Sequence, residues 1–545
     1  MLSLLALVAA SENFEGYSYY LGDPHAHTGV SGDGGSADLG NCTGHCGNVA
    51  DVFDLARAAG LDWLALTDHI NGVDAADPLQ YDSLFQAVLA ANNPGVFVTL
   101  PAAELWFQQT PPHDFGHKTL LLFGENDRLS SVHMEDLQFN GTGTRLRDCQ
   151  DIRTWAASLA ATAGPLLLVP HHPAVSPPMA TDWGCHDNEF EPIVEVYSEH
   201  GNSMHEDFHW DPPVSNAIGA GTVEVALDPE RFALKMGFAA GTDSHDTAPG
   251  SVCDLDDVRR EQGLGGGLTV VVLEEGATFD RDTIYEAFRS HSTYATTGPL
   301  FPVRLIWRVD GEEQGGLGAE LERFPGQVVT VELRLPPELS PWVLAAELVY
   351  PGGSKAMEGG EGSWTGELPA TVPWGYVQLR VDGGSWYAGA CADSGSDTEE
   401  WLWLSPSWVT ELDTDLDGDG YGPEDGDCAE GNASISPAAS EVWYDQVDQN
   451  CDGNDDDQDG DGYGRADDCA DTLPELNPGA TEIWYDGVDQ NCDGRDDDQD
   501  GDGLLASADC DDQDPSPCCG CQTAPSGSAL WGLLCIAAWR RRKTE

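Results

Sequence analysis

The stretch YYLGDPHAHTGVSGDG, Tyr19 to Gly34, runs an apolar strand-like segment into His25 and His27, with Asp33 six positions later. Taken alone it reads equally as a polar loop. The rest of the chain decides, because other apolar runs finish in the same residue types. DWLALTDH supplies Asp68 and His69, and VFVTLPAAE supplies Glu104. His117 opens the run HKTLLLFG, PLLLVPHH ends in His171 and His172, IVEVYSE contains Glu195, and FAAGTDSH ends in Asp243 and His245. Between several of these lie helix-like segments such as VADVFDLARAAG, YDSLFQAVLAANN and IRTWAASLAATAG.

Alternating Leu/Val-rich strands and helices predict a parallel sheet covered by helices. Seven such units closing on themselves would form a distorted (β/α)7 TIM-like barrel, an α/β fold whose strand ends meet at one mouth. His, Asp and Glu without thiolates suit manganese, zinc or iron. So many ligand types exceed one tetrahedral site, so two to three divalent transition metals are expected, with Glu104 placed to bridge two of them. A lone His-x-His or Asp-His is more often structural. The coincidence at independent strand ends is what argues for a cluster, since burying unpaired polar groups costs several kcal/mol apiece.

HAH with a following Asp, LTDH, the Glu of the third strand, HHP and GTDSH resemble the motifs of the PHP (polymerase and histidinol phosphatase) superfamily. EVYSEHG and FRSHSTYATTG resemble an uncharacterised, exported bacterial branch of it. The resemblance covers roughly residues 17 to 298 and implies a three-metal phosphoesterase. It implies that His25, His27, Glu104 and Asp243 bind a first ion. Glu104, His117 and a His of the HHP motif would bind a second; His172 is favoured because it directly precedes Pro173, with His171 its close neighbour. Asp33, His69 and His245 would bind a third, and Asp33 departs from the histidine many members carry. A hydroxide bridging two ions would then attack phosphorus, with His245, His200 or Glu199 protonating the leaving group. An amidohydrolase-like metallohydrolase, or a non-catalytic adhesive protein using the barrel as scaffold, are the alternatives. The expected partner is a phosphorylated small molecule or surface polymer.

The chain has 545 residues with 95 acidic against 24 basic, a formal charge of -71. Nucleic-acid binding is not expected, because phosphate backbones are held by Lys/Arg surfaces. Fifteen cysteines suggest an oxidising compartment. MLSLLALVAA (residues 1–10) reads as a short signal peptide without its basic start. The barrel is expected over 15–298. A small β-sandwich is expected over 299–410, from period-two strands such as VRLIWRV, VVTVELRL and YVQLRV.

Residues 411–517 repeat: DTDLDGDGYG, DDDQDGDGYG and DDDQDGDG recur, and VDQNCDG occurs twice. Such a period marks a repeat array. Asp413, Asp415, Asp417 and Gly418, with Asp419 following and Glu424 at the twelfth position, match a calcium-loop spacing. Asp457, Asp459, Asp461 and Asp468, and Asp498, Asp500, Asp502 and Asp509, are the counterparts, with the register ambiguous. Cys428 with Cys451, and Cys469 with Cys492, are natural disulfide pairs; Cys42 and Cys46 within NCTGHCGN are a further candidate pair, the alternative being a small metal site with His45. The repeats resemble the Asp-rich metal-binding repeats of exported bacterial proteins (MopE-type, or in style thrombospondin type 3), which implies a calcium-ordered stalk. Residues 518–545 combine a Cys motif, an apolar run of eleven and Arg540 to Lys543. They resemble a myxobacterial-type surface sorting tail. The chain is therefore expected to be exported to the cell surface or outer membrane, associated through that tail or released.

Overall fold

A computed structural model describes residues 13–30, 49–70, 75–106, 116–137, 148–174, 180–198, 200–205, 221–245, 249–250, 266–298, 300–382, 399–412, 415–509 and 511–516. Asp33, Cys42, Cys46, Glu199, Asp413, the 1–10 segment and the 518–545 tail lie outside these residues. The chain forms two compact units, residues 1–412 and 413–545.

The N-terminal unit begins with β1 (Asn13–Phe14), β2 (Tyr17–Ala26), β3 (Trp63–Leu66), β4 (Val98–Trp106), β5 (His117–Leu122) and β6 (Leu166–Pro170). It continues with β7 (Ile193–Ser198), β8 (Gly201–Asn202), β9 (Gly237–Ala240), β10 (Leu268–Glu274) and β11 (Thr293–Thr296). The expected closed (β/α)7 barrel does not form. β2, β3 and β4 pair in parallel, but β4 with β5, β5 with β6, and β10 with both β2 and β11 pair antiparallel. β7, β8 and β9 make a separate three-stranded sheet. The arrangement is a set of mixed sheets with helices on part of their surface.

Chain length explains one reversal. Only residues 107–116 separate β4 from β5, too few for the dozen or more that a parallel crossover needs. Composition hid the reversal. HKTLLL and LLLVP are buried at every position, so they read as continuous apolar runs although their pairing is antiparallel.

The strands of 299–410 form two layers. Arg304–Val309, Val329–Arg334 and Ser363–Glu367 belong to a five-stranded antiparallel sheet. Trp374–Asp382 and Glu399–Leu404 continue the N-terminal sheet, since Tyr294 of β11 pairs with Leu404. One apolar core accordingly runs from Tyr19 and Val270 through Tyr294 to Trp307, Leu348 and Leu379.

Three disulfides are described. Cys428–Cys451 and Cys469–Cys492 form as the spacing suggested. The third, Cys149–Cys185, was not anticipated. It ties the first residue of the helix Cys149–Ala163 to the 3-10 turn Trp183–Cys185 across 36 residues. Closing a loop of that length restricts the unfolded chain by about 4 kcal/mol. The Cys149→Ala/Cys185→Ala double variant is expected to lose a comparable amount, read as a lowered urea midpoint under non-reducing conditions. Among the described residues no helix is long and apolar enough to cross a membrane.

Candidate metal centre

The strands deliver their polar ends to one place despite their mixed directions. His25 lies at the end of β2 and His27 just beyond it, His69 follows β3, and Glu104 lies near the end of β4. β5 runs the other way, so its first residue, His117, arrives beside Trp106 at the same end. β6 reverses again and brings His171 and His172 just past its last residue. Asp243 follows β9, and its backbone N–H donates to the His25 carbonyl at 2.7 Å.

Four of these side chains enclose a small polyhedron. His25 Nε2 lies 3.3 Å from His27 Nε2, 3.4 Å from Glu104 Oε2 and 3.2 Å from Asp243 Oδ1. His27 Nε2 lies 3.1 Å from Glu104 Oε2 and 3.3 Å from Asp243 Oδ1. Five of the six edges of a tetrahedron are therefore nearly equal. The centre of a regular tetrahedron of that edge is about 2.0 Å from each corner, the zinc–nitrogen bond range. The other carboxylate oxygen of Glu104 is 2.9 Å from both His117 Nδ1 and His171 Nε2, and His172 completes a second group of ligand type. His27, His69 and His245 form a third. Both residues of the HHP motif thus stand in the cluster.

The hydrogen bonding does not account for this crowding. Both oxygens of Asp243 are buried without a hydrogen bond, although imidazole nitrogens stand 3.0 to 3.3 Å away. His27 Nδ1, His117 Nε2 and His172 Nδ1 are likewise buried without partners. Burial alone would lower His25 and His27, but the carboxylates of Asp243 and Glu195 raise the first, and those of Asp243 and Glu104 raise the second to about 9. Carboxylates gathered this closely around imidazole nitrogens are a donor set that a divalent cation takes in place of those protons. Burial pushes His171 down to about 3 and His172 well below the usual imidazole range, so both are neutral. Burial alone would raise Glu104 and Asp243, but the imidazoles of His171 and His69, and of His25 and His200, hold them well below the usual carboxylate range. His172 and Asp243 also adopt positive φ, 30° and 52°. Backbone held in that region collects at functional sites.

Two expected ligands also make contacts of another kind. Asp68 accepts from the backbone N–H and hydroxyl of Thr28, holding the turn after His27. Glu195 Oε2 is 2.9 Å from His25 Nδ1, on the far side of the ring from the tetrahedron, and burial raises its pKa to about 7. Asp23 was overlooked. Fully buried and raised to about 6 by that burial, it accepts from the backbone N–H groups of His25, Thr242 and Gly250 and the Thr242 hydroxyl. It therefore pins the HAH strand to the GTDSH turn. An acid two residues before His25 in an apolar strand was the available signal.

The C-terminal unit has a different chemistry. Its most buried described side chains are polar, among them Asp427, Asp468, Asp471, Gln490 and Asp498, while Val442 and Ile483 are exposed. Asp415 accepts from the N–H groups of Gly418, Asp419 and Gly420, and Asp457 from those of Gly460, Asp461 and Gly462. Asp498 accepts from Gly501 and Gly503. These equivalent bonds set a common register. Each loop starts at Asp415, Asp457 or Asp498, with a left-handed glycine (Gly420, φ 95°) at its sixth position. The frame starting at Asp413 begins outside the described residues. Buried, unpartnered oxygens of Asp417, Asp419 and Asp427, of Asp459, Asp461 and Asp468, and of Asp500 recur in step. Glu430 and Asp512 add further ones, and no sequence frame had included them.

The Cu-binding MopE metal-binding motif matches residues 427–457 and 468–498. The C-terminal repeats therefore carry a metal-binding motif, and each matched segment begins at an acid preceding a bridged cysteine. No curated protein and no solved structure matches the chain.

Proposed function

We propose that the N-terminal unit is a metal-dependent phosphoesterase and that the repeats bind calcium. The observation that carries the first reading is the close grouping of His25, His27, Glu104 and Asp243, with five of the six ligand-atom separations at 3.1 to 3.4 Å, flanked by two further ligand groups that share Glu104 or His27. PHP-type motifs supply the choice of phosphate ester as substrate. Adjacent divalent ions, when bound, acidify water and neutralise charge on a phosphate. The chain's own residues would orient the ester and move the proton. Lys118, beside His117, turns its ammonium to Glu191 at 3.0 Å, so it does not serve the anion.

His245 donates Nδ1–H to the Asp243 carbonyl at 2.8 Å and stacks on His27, which supports a role for it among the ligands. His200 is the better proton donor to the leaving group. Its side chain is 35% exposed, and its Nε2 lies 3.0 Å from Asp243 Oδ2. His200→Ala is expected to lower kcat by about 10²-fold or more while bound metal per chain stays unchanged. Steady-state kinetics beside elemental analysis checks this.

For the repeats, carboxylate-only donors around a left-handed glycine favour a hard cation. Bridged cysteines in both units support a location outside the cytoplasm. The deciding experiment is elemental analysis of the full chain beside His25→Ala/His27→Ala, followed by a phosphoester panel. Two to three Mn, Zn or Fe per chain, reduced in the variant and accompanied by phosphate release, support the reading. Less than half an ion after reconstitution sinks it.

A further inference from the structure

Glu195 stands on β7 with its side chain 2% exposed. Its Oε2 is 2.9 Å from His25 Nδ1, and its Oε1 is 3.9 Å from His171 Nδ1. The opposite nitrogens of the same rings face inward: His25 Nε2 belongs to the tetrahedron, and His171 Nε2 lies 2.9 Å from Glu104 Oε1. One carboxylate therefore backs an imidazole from each of two neighbouring ligand groups. A carboxylate only accepts, so His25 donates Nδ1–H to Glu195, and Nε2 is the ring atom turned to the cluster.

The fold makes room for this approach. β7 pairs in parallel with β9, setting Glu195 opposite Ala239, two residues before Gly241. A Cβ on Gly241 would stand 2.4 Å from His25 Cβ and 2.9 Å from Glu195 Oε2. The glycine of GTDSH is thus the space through which Glu195 reaches the histidine.

We propose that Glu195 is a positioning residue rather than a ligand: it fixes the tautomer and orientation of His25 so that this ring presents Nε2 to the ions. The inference rests on the metal-cluster reading above. Carboxylates behind metal-binding histidines raise affinity by about 10- to 100-fold.

The test uses the full chain reconstituted with zinc, with ions per chain and the apparent dissociation constant measured by chelator competition. Circular dichroism and Tm check the fold. Glu195→Ala is expected to weaken zinc binding about 10- to 100-fold while saturating at the wild-type stoichiometry. Glu195→Gln, whose amide oxygen still accepts from Nδ1–H, is expected to recover most of that affinity. Should the alanine variant not fold, Glu195→Asp replaces it: drawing the carboxylate back from Nδ1 is expected to cost several-fold in affinity. Loss of one ion per chain at saturation in every variant would make Glu195 a ligand, in a His25–His171–Glu195 group, and overturn the proposal. Wild-type affinity in Glu195→Ala, or in Glu195→Asp where that replaces it, would overturn it too. A wild-type chain that binds no zinc, manganese or iron fails the cluster reading itself, a distinct result.

Discussion

Glu104→Gln is expected to empty most of the N-terminal cluster and to reduce phosphoester hydrolysis by about 10³-fold or more. The size follows from how many partners one carboxylate serves. Oε1 is 2.9 Å from His117 and from His171, while Oε2 is 3.1 to 3.4 Å from His25, His27 and His69. An amide replaces one of these oxygens by an NH2 group and removes the charge that favours a cation among neutral imidazoles. Metal ions supply several kcal/mol of transition-state stabilisation, and each 1.4 kcal/mol is tenfold in rate. Elemental analysis and initial rates on one preparation check both halves. Retention of all ions at unchanged rate would remove Glu104 from the site.

Chelation is expected to unfold the C-terminal unit while leaving the N-terminal unit folded. None of the apolar residues described in residues 415–516 is buried, whereas Asp427, Asp468, Asp471 and Asp498 are. Without cations those carboxylates repel one another, and no apolar core opposes expansion. Cys428–Cys451 and Cys469–Cys492, each closing 23 residues, restrict the unfolded chain by about 3 kcal/mol apiece but leave the loops themselves unheld. EGTA is expected to open the repeats to proteolysis, and added calcium, rather than magnesium or copper, to restore protection. The fragments are read on non-reducing gels. Resistance that survives EGTA would show that the turns stand without an ion.

The candidate site was more legible in the sequence than the fold around it. His25, His27, Glu104, His117, Asp243 and both histidines of HHP come together because each follows or opens an apolar run. Ligand type at a strand terminus is a local property. Strand direction is not. His117 carried the one sign of it, since it opens its strand where its partners close theirs, as a reversed neighbour must to reach the same edge. The sequence points instead to a closed seven-stranded barrel because a strand buried on both faces reads as apolar whichever way it runs.

The sequence by itself determined the residue types of the cluster, the period of the repeats and two of the three disulfides among the described residues. Each is encoded by spacing over a few dozen residues or fewer. Only the tertiary structure decided that the sheets are mixed and unclosed, that Trp374–Asp382 and Glu399–Leu404 extend the N-terminal sheet, and that Glu195 meets His25 while Asp23 meets Thr242. Those outcomes depend on which groups meet across 170 and 219 residues of chain, as His25 meets Glu195 and Asp23 meets Thr242. Pairing at that separation is set by packing and hydrogen-bond geometry, which no local pattern records.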